Sequence, residues 1–286
     1  DGIPEILRHL RFPKSMKWGG RDFRFARPIR WFVSLFDDDV LPFDLEEIPV
    51  GRFTRGHRVL GSDRIEVESI ERFEDQLLDN FVMLDEQKRK ELILLQAERL
   101  VRERGGNLMQ DEALLDEIVN LVEYPTPLLG QIPAEYMDLP DTVILTPMKD
   151  HLRYIPVLDD KGDPMPYFVT VRNGDKTGLD TVREGNERVL TPRLEDAKFF
   201  YKEDRKQPLE DYVPELENLV FHDKLGNMLE KTNRVRSLAR QIGTQMGVGE
   251  SALASIDRAA YLSKADLVTH MVIEFTELQG IIGGIY

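Results

Sequence analysis

Cysteine is absent from the 286-residue chain, which removes disulfide frameworks, thiolate metal sites and cysteine nucleophiles. No apolar run approaches the eighteen or so residues that a membrane helix needs, and the first residues lack the cationic-then-apolar order of a secretory signal. These absences predict a soluble, cytoplasmic protein without a membrane partner. Nucleotide signatures are missing as well: there is no Gly-x-x-x-x-Gly-Lys-Ser/Thr and no Gly-x-Gly-x-x-Gly after a strand. The Gly-x-Ser-x-Gly elbow is absent too. An ATP site or a nucleophilic hydrolase site within these residues is therefore not expected. Positive charge is scarce, with 38 Lys and Arg against 52 Asp and Glu and a net charge of -14. Any polyanion must be met by local patches, because the overall field repels it.

What is present suits folded domains. A hydrophobic content of 41% can supply a core, and the length allows two domains of ordinary size. Residues up to about 206 mix strand-like and helical patterns, and the rest reads as helical, so a boundary is expected at Lys206-Gln207-Pro208. The expected class is α+β, with domains 1–206 and 207–286. The chain opens at Asp1 and stops after a glycine-containing apolar stretch, and an interior fragment of a longer protein is expected.

Two segments concentrate cations. Residues 14 to 31 carry Lys14, Lys17, Arg21, Arg24, Arg27 and Arg30 against Asp22 alone, interleaved with Trp18, Phe23, Phe25 and Trp31. Aromatics between basic residues can stack on bases while the cations hold phosphates, or the rings can be core and the cations its wet face. Alternation at Phe23 and Phe25 suggests a strand, and Leu45 to Val50 and Arg64 to Val67 are also strand-like. The second segment runs from Gly185 to Lys202. Thr191 can cap a helix beginning at Pro192, with Glu195 and Asp196 near its positive end, after a turn at Gly185-Asn186. Leu194, Ala197, Phe200 and Tyr201 make one apolar face; Arg193, Lys198 and Lys202 project elsewhere.

Candidate phosphate contacts follow from charge and local pattern: Arg55, His57 and Arg58; Lys149 and Arg153; and Arg188, Arg193, Lys198 and Lys202. None is expected to be catalytic. A last candidate is His222-Asp223, since a His-Asp pair on a helix can ligate a divalent metal and activate water, although a surface pair beside Lys224 is the alternative.

A series of landmarks in order resembles the beta subunit of the bacterial two-subunit glycyl-tRNA synthetase. They include Met16-Lys17-Trp18-Gly19, Phe25-Ala26-Arg27-Pro28-Ile29-Arg30-Trp31, Thr54-Arg55-Gly56-His57-Arg58 and Leu121-Val122-Glu123-Tyr124-Pro125. They continue through Gly185-Asn186-Glu187-Arg188, Arg193-Leu194-Glu195-Asp196-Ala197-Lys198-Phe199-Phe200, Lys264-Ala265-Asp266-Leu267 and Glu274-Phe275-Thr276-Glu277. The resemblance implies a first domain similar to the B3/B4 region of phenylalanyl-tRNA synthetase, followed by the start of a helical HD-like domain. It implies a ligase that joins glycine to tRNA-Gly, with an alpha subunit holding glycine, ATP and magnesium in an α2β2 assembly. This fragment would bind no cofactor and would help hold the tRNA acceptor arm. His222 and Asp266 would be degenerate HD-like positions without metal, because Ala265 stands where active HD proteins carry the histidine of the His-Asp pair. A metal-dependent HD-type phosphohydrolase and a purely structural subunit-contact module are the alternatives.

Overall fold

The computed structural model describes residues 2–286. The chain divides into two compact units, one of residues 1–97, 115–127 and 171–178, the other of residues 98–114, 128–170 and 179–286.

The first unit opens with α1 (Gly2–His9) and continues through very short strands: β1 (Phe32–Val33), β2 (Leu35–Phe36), β3 (Asp39–Val40), β4 (Val50–Gly51), β5 (Phe53–Thr54) and β6 (Ile65–Glu66). They pair two by two, β1 with β4 in parallel, β2 with β3 and β5 with β6 antiparallel. The expected strand at Phe23 and Phe25 reduces to a single bridge between Met16 and Phe25. The expected strand at Leu45 to Val50 reduces to its last residue, because Leu45 and Ile48 turn inward and bury against Phe23. Rings therefore organise this region more than ladders do. Trp18 and Phe23 meet edge to face at 5.7 Å, and the Trp18 indole N–H donates to the Ile29 carbonyl at 3.2 Å.

Three helices follow, α2 (Phe73–Asp79), α3 (Glu86–Arg102) and α4 (Glu112–Leu121). The periodicity of Leu92 to Val101 predicts α3, and Gly105, at φ +71°, ends the segment as expected. Arg89 supports the turn before α3 by donating to the carbonyls of Met83 and Leu84, at 2.6 and 2.9 Å.

A four-stranded sheet follows in the order β7 (Asn107–Leu108), β9 (Ile155–Leu158), β10 (Pro164–Asn173), β8 (Pro125–Gln131). β9 and β10 form the antiparallel hairpin expected around Asp159-Asp160-Lys161-Gly162-Asp163. Asp159 fixes that turn by accepting the N–H groups of Lys161 and Asp163 at 2.8 and 3.0 Å. α5 (Asp141–Thr146) passes into a wider π turn at Pro147–His151.

The longest element, α6 (Leu179–Asp204), corrects the sequence reading: no turn occurs at Gly185-Asn186, and no helix starts at Thr191. The helix runs through Pro192. Pro192 has no N–H to give the Arg188 carbonyl one turn back; beside it, the Thr191 hydroxyl donates to the Glu187 carbonyl at 2.9 Å. The expected apolar face is present: Leu194 and Ala197 are fully buried beside Tyr136, Phe168, Met271 and Phe275, and Phe200 and Tyr201, partly buried, pack against the same cluster, which Leu190 joins.

Beyond α6 come a hairpin of β11 (Val220–His222) and β12 (Gly226–Asn227), then α7 (Met228–Gln245), α8 (Glu250–Leu262), α9 (His270–Glu274) and α10 (Ile281–Ile285). Asn227 and Glu230 form a reciprocal capping box at the start of α7. α7 and α8 approach closely at Gly243, where a Cβ would lie 2.9 Å from Leu253 and 3.1 Å from Ile256. They are joined by Arg236, whose guanidinium donates to both oxygens of Asp257 at 2.8 and 2.6 Å.

Candidate nucleic-acid interface

The sequence candidates divide into engaged and free cations. Lys149 is held 2.6 Å from the Asp111 carboxylate, and Arg153 donates to the Asp150 carbonyl. Arg193 pairs with Glu274 at 3.6 Å. Lys198 pairs with Glu135 at 2.8 Å and lies 5.0 Å from the Tyr136 ring centre; the Glu135 contact raises its pKa. These four residues already neutralise or cap their own surroundings.

Arg188 and Lys202, by contrast, are exposed on α6, and neither has an ion-pair partner among the described residues. Fourteen residues of helix separate them by about 21 Å and return them to nearly one side. Phe199, 57% exposed, lies within a turn of Lys202.

In the first unit Arg55 and Arg58 are exposed, but the His57 between them is buried. Its Nδ1 accepts the backbone N–H groups of Val59 and Leu60, both at 3.3 Å, so its proton sits on Nε2. The loop is tight for a steric reason: a Cβ on Gly56 would fall 2.7 Å from Asn80, whose carbonyl accepts the His57 N–H. His57 thus shapes the turn that displays its two arginine neighbours.

Sequence reading missed the neighbours of Arg55. Its guanidinium lies 5.3 Å from the centre of the Trp31 ring, and Arg64 lies 3.7 Å over Phe53. These residues, with Arg30 and Asp63, line a groove of about 520 Å³. The pairing of β5 with β6 brings Arg64 to Phe53, eleven positions away. Two-residue strands leave too little periodicity to announce it.

The His222 reading also needs correction. His222 ends β11 on an exposed hairpin, where its Nδ1 accepts the Lys224 N–H at 3.1 Å; it is not on a helix. Asp266 is buried, and its carboxylate accepts the backbone N–H of Gly280. Among the described residues no group of three or more His, Asp or Glu side chains is placed to hold a metal ion. No helix among them is long and apolar enough to cross a membrane.

The comparisons agree with the landmarks. Residues 1–286 match the family model described as glycyl-tRNA synthetase beta subunit. The chain is 46% identical over 282 residues to a glycine--tRNA ligase beta subunit of Desulfitobacterium hafniense, covering 99% of this chain and 41% of that protein. It is 46% identical to the one of Bacillus subtilis, covering 99% of this chain and 42% of the relative. With the one of Clostridioides difficile the identity is 49%, over 100% of this chain and 41% of the relative. The chain spans about two fifths of the length of these relatives. On a family match along its whole length, the chain belongs to the glycyl-tRNA synthetase beta-subunit family.

Proposed function

We propose that this chain is the part of a glycine-tRNA ligase beta subunit that helps hold the acceptor arm of tRNA-Gly while an alpha subunit carries out the chemistry. In this reading the alpha subunit binds glycine, ATP and magnesium, and this portion binds no cofactor. The working enzyme is a cytoplasmic α2β2 assembly that attaches glycine to tRNA at the expense of ATP. The portion up to about residue 206 acts as a B3/B4-like domain, and residues from 207 begin an HD-like helical domain with no hydrolytic role. The relatives' names support the ligase and the existence of a partner subunit.

The observation that carries the tRNA contact is the pair of exposed cations on α6, Arg188 and Lys202, which have no ion-pair partner among the described residues. They stand out in a chain where most helix cations are matched to carboxylates. Phosphate binding releases counterions, so it is read from salt dependence. A filter-binding titration of the full-length protein with tRNA-Gly against NaCl tests it. Arg188→Glu with Lys202→Glu is expected to weaken binding about tenfold or more and flatten the salt slope. Unchanged binding and slope would remove this face from the tRNA contact. Arg193 and Lys198 are poorer choices for reversal, because each would also break an ion pair.

A contact role toward the alpha subunit is the second reading. On α7 the exposed Val235, Leu238 and Ile242, with Met246 at its C-cap, follow one stripe. Co-purification of alpha subunit with wild type but not with Leu238→Glu, Ile242→Glu would support it.

A further inference from the structure

Three guanidiniums border the groove of the first unit, those of Arg30, Arg55 and Arg64, and among the described residues no carboxylate holds any of them. These three arginines converge on one cleft of a chain that has 52 acidic against 38 basic side chains. Arg55 and Arg64 are also already laid against rings, Trp31 and Phe53. A guanidinium stacked in this way keeps its N–H edges free, and its orientation is fixed before a ligand arrives. Phe53 is 38% exposed, and Asp63 supplies one acceptor at the rim.

We infer that this groove takes an unpaired stretch of RNA, with bases stacking in the Trp31 and Phe53 aromatic lining and phosphates on Arg30, Arg55 and Arg64. The inference rests on the tRNA-holding reading above and narrows it to a single-stranded segment. Stacking needs an open base face, which a duplex hides. A cleft of about 520 Å³ suits a base with its sugar and excludes a double helix. An acidic peptide would satisfy the guanidiniums but would bring no flat face to stack on the exposed part of Phe53.

The test uses the full-length protein, a labelled eight-nucleotide single-stranded RNA, a duplex of the same sequence, and anisotropy across a range of NaCl. Arg55→Gln with Arg64→Gln is expected to weaken single-strand binding about tenfold or more and to lower the salt slope by about 0.7 for each phosphate left without its arginine. Trp31→Leu is expected to weaken it about tenfold with the slope unchanged, which a purely electrostatic site would not show. The arginine variant alters exposed side chains, so it decides the matter even if the Trp31 variant unfolds in a parallel thermal melt. Unchanged single-strand affinity in the arginine variant, equal loss for the duplex, or displacement of RNA by poly-glutamate would each overturn the assignment. If wild type still holds tRNA-Gly in that case, the groove alone is refuted. A wild type that fails to hold tRNA-Gly refutes the parent reading as well.

Discussion

The buried carboxylate of Asp266 accepts the backbone N–H of Gly280, at the residue that precedes α10, and leaves Gly283 just enough room beside it. A Cβ on Gly283 would lie 3.0 to 3.2 Å from the Asp266 side chain. This geometry gives Asp266 a structural task, so its loss should be read in stability. Asp266→Ala orphans a donor and is expected to cost about 1–3 kcal/mol in urea unfolding. Asp266→Asn keeps an acceptor oxygen and should cost less. A variant as stable as wild type would show that the hydrogen bond carries no weight.

Gly130 and Gly185 should respond in opposite directions to alanine. A Cβ on Gly130 would meet the Phe168 ring, with both Cε atoms within 2.7 Å. Phe168 is fully buried and stacks on Tyr154 at 4.5 Å, so it has nowhere to move. Gly130→Ala is expected to destabilise by about 2–3 kcal/mol through overpacking. Gly185 is exposed inside α6 with nothing within 4 Å of a new Cβ. There alanine should stabilise by about 0.5–1 kcal/mol, since it lowers the entropy cost of the helix. Thermal melts of the two variants check both signs.

Acid sensitivity should include a contribution from Asp111. Its hydrogen bond with Lys149, followed by the N–H of Leu114, holds its pKa below the ordinary carboxylate value. A carboxyl depressed on folding adds stability above its unfolded pKa, and that contribution is lost as pH falls through the folded pKa. Asp111→Asn can still accept the Leu114 N–H but loses the ion pair. It is therefore expected to be less stable than wild type at pH 7, by about 1 kcal/mol or less. The gap should narrow steadily as pH falls below the ordinary carboxylate value of about 4 and vanish below the depressed folded pKa. A gap that does not narrow as pH falls would mean that packing and not charge sets it.

Long periodic segments were legible in the sequence. α3 with its glycine stop and the β9–β10 hairpin were both read from local pattern. α6 departs from its local pattern at the middle, because Thr191-Pro192 is an ideal start signal in isolation. Burial of Leu190 and Leu194 on either side of the proline holds one continuous helix there. His57 illustrates the same limit for the candidate interface: it carries a basic side chain between two arginines, yet its imidazole closes a turn. The Arg64–Phe53 stack depends on pairing between distant two-residue strands, which no local window contains.

If this part of the protein holds tRNA and does no chemistry, as proposed, kinetics of the assembled alpha–beta enzyme separate the two roles. Arg188→Glu with Lys202→Glu is predicted to raise KM for tRNA-Gly about tenfold or more in aminoacylation. Glycine-dependent exchange of pyrophosphate into ATP, which needs no tRNA, should proceed at the wild-type rate. An equal loss in both assays, or no change in KM for tRNA, would contradict the account.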